Sequence, residues 1–385
     1  MQQTRAVDSR FANLSKRDQN SMDFIRWLVA AMVIFSHAFP LGMGEAIRRY
    51  DPIVILTNNQ SATGGVGLAM IFVISGFYIT LSMLRSKDWW KFLKARILRI
   101  YPPLIAVVLV AMFIIGPLVT TLSLGDYFTN VQTYQYGSVL LLFKTSYFLP
   151  GVFESNVYPD AVNGSLWTLF FSFAFYFMTM FLFLLGMLRR KPVLALFLAV
   201  WAFRGFMIEI YPALGITLPG VDPISDLMRT PNFYYGTQLL MYFLSGMVFY
   251  LYQDRIPLRR SFFLFGLVLM LLAIQLNVWN MWMATSGAYS MFYIATSPRM
   301  PMKFWAKYGD YSLGLYLYGF PVQQFVTYLF DGSMEPMLNF AISLPVAAFL
   351  SVLSWRFIEQ PAMRLRKVSL RTTLGLRRTT APMGD

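Results

Sequence analysis

Residues 24–43 read FIRWLVAAMVIFSHAFPLGM, an apolar run that carries one arginine and one histidine. An α-helix needs about 20 mostly apolar residues to cross the hydrocarbon core of a bilayer, and this run has that length. Residues 1–23 before it are polar and basic, whereas a signal peptide places its apolar core much earlier. The run is therefore predicted to be a true membrane span.

Similar runs recur as far as residue 358, and they predict an all-α fold. Hydrophobic residues make up 57% of the 385-residue chain and charged residues only 13%, whereas about 25% of a soluble chain is charged. We expect a polytopic integral membrane helical bundle, a single transmembrane domain at 24–358 between basic tails at 1–23 and 359–385. Its spans, about ten by length, are placed at 24–43, 65–84, 101–124, 166–188, 192–211, 232–252, 261–277, 279–297, 311–330 and 338–358.

The basic residues predict the orientation of the bundle. With the N-terminus in the cytoplasm, the outside segments hold only 4 of the 32 Lys and Arg and the spans hold 3. The other 25 fall on the cytoplasmic side, in 1–23, 85–100, 189–191, 253–260, 298–310 and 359–385. This bias follows the positive-inside rule and predicts cytoplasmic N- and C-termini. Because the net charge of +14 is spread over helix ends, no nucleic-acid partner is expected. The absence of cysteine and the single histidine argue against disulfides and a metal site.

Three further stretches carry specific expectations. Residues 277–297 are rich in Trp, Met and Ser, so this segment is either a span or a re-entrant or interfacial segment. The loop at 125–165 contains SVLLLFKTSYFLP, which is too short to span and is expected to cap the outer face. At the end of the tenth span, Arg356 and Glu359 are spaced to pair at i, i+3.

The one histidine, His37, lies inside the first span, and Arg26 precedes it by eleven residues. Eleven residues make close to three helical turns, so both side chains project from one face, ~16 Å apart along the axis. An ionisable residue at this depth usually faces the bundle interior or a wet cavity, where an imidazole can act as a general base. The alternatives are a structural hydrogen bond for His37 and a snorkelling anchor for Arg26.

The second span and the segment after it supply candidates for binding an anionic ligand. The second span, GGVGLAMIFVISGFYITLSML, includes Ser75 and Gly76 and is suited to close helix packing and a narrow channel. In KDWWKFLKARILRIYPPL, Arg96 and Arg99 are three residues apart and face one way, before the third span. A guanidinium pair can bind phosphates through bidentate hydrogen bonds, and anchoring of an interfacial helix is the alternative.

Taken together, these segments resemble acyltransferase family 3, membrane enzymes that modify cell-envelope glycans. The resemblance covers residues 20–366, with Arg26 and His37, GVGLAMIFVISGF, RILRIYP, NGSLWTL, GDYSLGLYLYGFP and SWRFIEQPAMR in the expected order. It implies acyl-CoA, usually acetyl-CoA, as the donor and a glycan or lipid-linked sugar as the acceptor. It also implies no metal, contact with membrane lipids and a place in the bacterial cytoplasmic (inner) membrane.

The resemblance also implies roles for individual residues. The donor would enter from the cytoplasm, with its phosphates at the basic mouth and its thioester beside the histidine. The histidine would act as a general base on an acceptor hydroxyl, or alternatively form an acyl-imidazole. The implied site consists of catalytic His37 and Arg26, donor-binding Ser75, Gly76, Arg96 and Arg99, and acceptor-binding Asn163, Ser165 and Trp167.

Two positions depart from the family pattern. Ser172 stands where the family commonly has Glu, and Gly319 stands where a His often precedes the FP of the ninth span. An O-acyltransferase is the leading hypothesis, with succinyl transfer or a small-metabolite acceptor as variants. The alternatives are a transporter or flippase of lipid-linked sugars and an inactive relative that only binds acyl-CoA.

Overall fold

The computed structural model describes residues 19–142, 146–206 and 231–367, together with Phe11, Leu14 and Lys16. Within these ranges the regular structure is helical, with only isolated β-bridges besides. The ten main helices, numbered in chain order, are α1 Met22–Met43, α2 Thr63–Ser86, α3 Trp89–Val119, α4 Trp167–Leu184, α5 Arg190–Arg204, α6 Pro231–Leu251, α7 Arg260–Gln275, α8 (three consecutive pieces over 279–295), α9 Ser312–Leu329 and α10 Pro336–Arg364.

Five of these helices are long and apolar enough to cross a membrane. They are α1, α2, α3, α4 with the 3₁₀ turn before it, and α10. The all-α, membrane-helical character predicted from the sequence is therefore confirmed. Each of the ten predicted spans overlaps one helix, including 279–297, which overlaps α8 with its π-helical turn at Met283–Gly287. The number of spans and the orientation of the termini stay predictions.

The start of α3 differs from the sequence-based boundary. The sequence suggested an interfacial helix followed by a span beginning at 101, whereas one continuous helical run covers Trp89–Val119. Asp88 caps this run, since its carboxylate accepts hydrogen bonds from the backbone N–H of Trp90 and of Lys91, both at 3.0 Å. The two prolines that suggested a boundary are accommodated inside the helix, as membrane helices allow.

Two glycines allow a close helix crossing between α2 and α6. A Cβ added to Gly76 would lie 1.9 Å from the carbonyl oxygen of Phe243, and one added to Gly246 would lie 1.9 Å from that of Val73. Neither backbone has room for a larger residue, which is the mode of packing that small residues allow in membranes. The crossing fixes α2, one of the helices that line both cavities of the bundle.

Candidate active site

Two cavities lie end to end along α1 and α2. The first, here called the basic cavity, has a volume of about 740 Å³ and is lined by five arginines, namely Arg26, Arg85, Arg96, Arg99 and Arg366. The second, the histidine cavity, has a volume of about 620 Å³ and contains His37. Both volumes are in the range of ligand sites. Because Arg26 is near the beginning of α1 and His37 near its end, the helix carries one residue into each cavity.

A network of half-buried to fully buried ion pairs crosses the basic cavity. The Arg26 guanidinium lies 3.2 Å from the Asp310 carboxylate and 4.4 Å from the centre of the Tyr78 ring. Arg99 lies 3.0 Å from the same Asp310 carboxylate and 2.7 Å from that of Glu359. Asp310 therefore joins α1 to α3, and these charges are satisfied largely by one another, as buried charges must be.

Local structure at the end of α10 brings Glu359 into this network. Residues Trp355–Glu359 form a π-helical turn, and the Glu359 side chain is fully buried and also accepts a hydrogen bond from the Ser354 hydroxyl at 3.1 Å. The predicted pairing of Glu359 with Arg356 is wrong: Glu359 pairs with Arg99, while Arg356 is exposed. A π turn shifts the register of side chains around the helix, so i, i+3 spacing does not bring these two together.

Arg96 is bound quite differently from Arg99, although both line the basic cavity. Among the described residues its one recorded hydrogen bond is a long one to the Ser82 hydroxyl, at 3.4 Å, and its Nε atom is buried without a partner. Buried polar groups are normally satisfied, so an unpartnered guanidinium N–H in a cavity is a position for an anionic ligand. Ser75 and Ser172 line the same cavity.

The histidine cavity is aromatic and amide-rich. His37 packs edge-on against Phe320, with ring centroids 5.3 Å apart. Trp167 lies 5.4 Å from Tyr235 on another wall, and the amides of Gln238 and Asn280 are joined by a hydrogen bond of 2.9 Å. Aromatic rings with a few fixed polar groups are the lining expected of a small-molecule site.

The predicted site residues thus fall into three groups. Arg26, Arg96, Arg99 and Ser75 line the basic cavity, and His37, Ser165 and Trp167 line the histidine cavity. Gly76 lies at the α2–α6 crossing, and Asn163 holds the start of α4 by donating to the Leu317 carbonyl at 2.9 Å and accepting from the Ser165 N–H at 3.2 Å. These two residues shape the site from behind its lining.

The two departures from the family pattern occupy different surroundings. Ser172 faces the basic cavity and donates its hydroxyl to the Thr168 carbonyl at 3.1 Å. Gly319 lies against α1, where an added Cβ would be 2.6 Å from the side chain of Ile34. A histidine at 319 would therefore require a shift of the Ile34 side chain, which belongs to α1, the helix that carries His37.

Three important residues were missed by reasoning from the sequence. Asp310 and Glu359 pair with arginines 284 and 260 positions away, and Tyr316 lines both cavities. All three lie in the GDYSLGLYLYGFP and SWRFIEQPAMR motifs, in which Asp310 and Tyr316 were given no role and Glu359 only a pairing with Arg356. A search for acidic partners of the intramembrane arginines would have drawn attention to both carboxylates.

The described part of the chain is thus a membrane-embedded helical bundle with an arginine-lined cavity and a histidine-lined cavity that adjoin. Comparison with known proteins agrees with one class of enzyme. The family model described as "Acyltransferase domain", that of acyltransferase family 3, matches residues 19–356. Because this match spans most of the chain, the protein belongs to acyltransferase family 3 and is an acyltransferase, as the motifs predicted.

Two relatives are similar over nearly their whole length. An O-acetyl transferase of Shigella phage Sf6 is 26% identical over 355 residues, which cover 89% of this chain and 95% of the phage protein. Nodulation protein 10 of Rhizobium leguminosarum bv. viciae is 29% identical over 378 residues, which cover 91% of this chain and 95% of that protein. No solved structure matches the chain.

Proposed function

We propose that this protein moves an acyl group, in the first place acetyl, from cytoplasmic acyl-CoA to a hydroxyl of an envelope polysaccharide or its lipid-linked precursor. The observation that carries the proposal is the pair of adjoining cavities, one cationic and one holding the only histidine. Such a pair allows a phosphate-bearing donor and a sugar acceptor to approach from opposite ends. The similarity to an O-acetyl transferase supports acetyl as the group transferred.

On the donor side, the arginines of the basic cavity differ in their contacts, and we assign them different roles for that reason. Arg96 has an unpartnered Nε inside the cavity, so it is the arginine we assign to a phosphate of acyl-CoA. Arg26 and Arg99 are already paired with carboxylates and are assigned to holding α1, α3 and α10 around the donor. Arg85 and Arg366 are exposed at the mouth of the cavity, where they attract the anionic donor.

On the acceptor side, His37 is assigned as the general base. Its imidazole takes the proton from the acceptor hydroxyl, and the hydroxyl oxygen forms the new bond to the thioester carbonyl carbon. The carbon–sulfur bond then breaks, and coenzyme A leaves as the thiol after taking up that proton. Trp167 and Tyr235 provide aromatic surfaces for the sugar, and Ser165, whose buried hydroxyl oxygen has no partner among the described residues, can bond to it.

The proposal is tested by restoring acylation in a strain that lacks the gene. Wild type, His37→Ala and Arg49→Gln are expressed at matched membrane abundance, and O-acetyl groups on the purified envelope polysaccharide are measured by NMR. Arg49 lines the same cavity but is exposed, so its variant is the matched control. We expect acetylation by wild type and Arg49→Gln and none by His37→Ala.

The same experiment separates the competing functions. Equal acetylation by wild type and His37→Ala would overturn the role of His37 as base. Binding of acyl-CoA by wild type without any acyl transfer would point to an inactive relative, with Ser172 as the first position to revert to Glu. Movement of a lipid-linked sugar across the membrane without acylation would favour the flippase alternative.

A further inference from the structure

Tyr316 and Leu68 are the only two described residues that line both cavities. Leu68 comes from α2 and Tyr316 from α9, and both side chains are half-buried. The rest of each lining belongs to one cavity alone. These two side chains therefore stand between the basic cavity and the histidine cavity, at the place where a donor would have to meet an acceptor.

Hydrogen bonds to the start of α4 hold Tyr316 in this position. Its hydroxyl lies 2.7 Å from the hydroxyl of Thr168 and donates to the backbone carbonyl of Ser165 at 3.0 Å. Thr168 lines the basic cavity and Ser165 the histidine cavity. The tyrosine is thus held at its hydroxyl between one residue of each cavity, whereas Leu68 has an apolar side chain that forms no hydrogen bond.

We propose that Tyr316 and Leu68 form a partition between the two cavities, past which only the acyl end of the donor reaches His37, and that this partition sets the size of the acyl group transferred. The proposal rests on the function proposed above, because the partition matters only if donor and acceptor occupy different cavities. Tyr316 is in this view a positioning residue, and Leu68 determines specificity for acyl length.

The partition can be tested without any activity, because the chain contains no cysteine. Ser75→Cys places one thiol in the basic cavity, and Ala46→Cys places one at the exposed rim of the histidine cavity. Each variant in oriented membrane vesicles is treated with a membrane-impermeant maleimide from the face that labels Ala46→Cys. We expect Ser75→Cys to stay unlabelled from that face, and to become labelled when Tyr316→Ala or Leu68→Ala is added.

Two labelling results would overturn the partition. One is labelling of Ser75→Cys from that face while Tyr316 and Leu68 are intact. The other is protection of Ser75→Cys that persists when both residues are replaced by alanine, with Ala46→Cys still reactive in the same background to show that the protein is folded. Tyr316→Phe keeps the ring and removes only the hydroxyl, so we expect labelling intermediate between wild type and Tyr316→Ala.

Acyl selectivity supplies a second, independent readout. Rates with acetyl-CoA and butyryl-CoA are compared as the ratio of kcat/KM for wild type, Leu68→Ala and Leu313→Ala. Leu313 lines only the basic cavity and is the matched control. We expect Leu68→Ala to shift the ratio about tenfold toward butyryl, the discrimination that one or two methylenes bring in a tight apolar site, and Leu313→Ala to leave it unchanged.

Labelling and acyl selectivity together distinguish a failure of the partition from a failure of the proposed function. An unchanged ratio in Leu68→Ala, with acetyl transfer intact, would remove Leu68 as the determinant of acyl length. Absence of any acyl transfer by wild type would instead refute the proposed function, while the labelling result would still decide whether the partition exists.

Discussion

The basic cavity and the histidine cavity differ in where their charged lining residues lie. In the basic cavity, Arg26 and Arg99 share Asp310, and Arg99 also contacts Glu359, whose side chain is 0% exposed. In the histidine cavity, the one close ion pair among the described residues is that of Arg48 with Glu45, at 3.0 Å on the rim, with exposed fractions of 54% and 59%. Among the described lining residues, charge below the rim is thus confined to the basic cavity, and His37 packs among aromatic and amide groups. The buried Asp51 and Arg204 lie behind the lining of the histidine cavity, where Asp51 accepts a hydrogen bond from Ser36 at 2.7 Å and Arg204 donates one to the Tyr234 carbonyl at 2.8 Å.

This difference indicates that the two cavities have different roles in the reaction. Buried ion pairs fix side chains in place but seldom add net stability, so the network of the basic cavity is best understood as a rigid frame with one arginine, Arg96, left for an anion. A general base works only in its neutral form, and His37 packs against Phe320 in the histidine cavity, apart from the ion pairs of the basic cavity. The predictions below test this division of roles, beginning with the largest effect.

Replacing His37 should slow the acyl-transfer step and leave binding of the donor unchanged. We expect His37→Ala to lower kcat by about 10²–10⁴-fold, the contribution of a general base, while binding of coenzyme A to the purified protein stays unchanged, because its phosphates lie in the other cavity. Turnover of radiolabelled acetyl-CoA and calorimetric binding of coenzyme A measure the two effects. A parallel loss of coenzyme A binding would mean that the two cavities do not act separately.

The sequence predicted one half of this comparison well. The apolar runs gave the helices, and the spacing of Arg26 and His37 placed both on the inner face of one span. The sequence did not predict that Arg26 and His37 line different cavities. The separation depends on Leu68 and Tyr316, which come from helices nearly 250 residues apart in sequence, and periodicity within a helix contains no information about such long-range contacts.

The partners of the charged residues also could not be predicted from local spacing in the sequence. Arg99 was grouped with Arg96 because the two are three residues apart, yet of these two arginines only Arg99 is paired with the carboxylates of Asp310 and Glu359. The Arg356–Glu359 expectation failed for a related reason, since a π turn intervenes. Motif resemblance located these segments correctly, whereas the partner of each charge is decided by how the helices pack.

The frame should lose stability when Glu359 is made neutral. Glu359→Gln removes a charge-assisted hydrogen bond of 2.7 Å to Arg99, and we expect about 1.5–3 kcal/mol less free energy of unfolding. Thermal and denaturant unfolding in detergent micelles measure the loss. Glu154→Gln, which changes an exposed carboxylate, is the control and should have almost no effect. If both variants are equally stable, the network is not a structural frame.

Arg96 should behave in the opposite manner, with an effect on binding and little on stability. Because its Nε has no partner among the described residues, Arg96→Gln breaks no strong contact of the folded protein. We expect KM for acetyl-CoA to rise about tenfold, equivalent to ~1.4 kcal/mol, with the unfolding midpoint unchanged. Lys91→Gln, on the same helix but exposed and paired with Asp88, should leave KM unaltered; a rise there would mean that general surface charge, and not Arg96, binds the donor.

The smallest effect belongs to the exposed pair at the rim of the histidine cavity. Arg48→Gln removes an ion pair with Glu45 that is open to solvent on both sides, and such pairs contribute only about 0.2–1 kcal/mol. We therefore expect a stability change within that range, and one that shrinks further in high salt, because exposed charges are screened. The Glu359→Gln loss should persist in the same salt series, because its partner Arg99 is only 16% exposed. Equal salt dependence of the two variants would show that the ion pairs of the basic cavity are as accessible to solvent as the pair at the rim of the histidine cavity. The contrast between a buried, rigid network and a solvent-exposed rim would then be wrong.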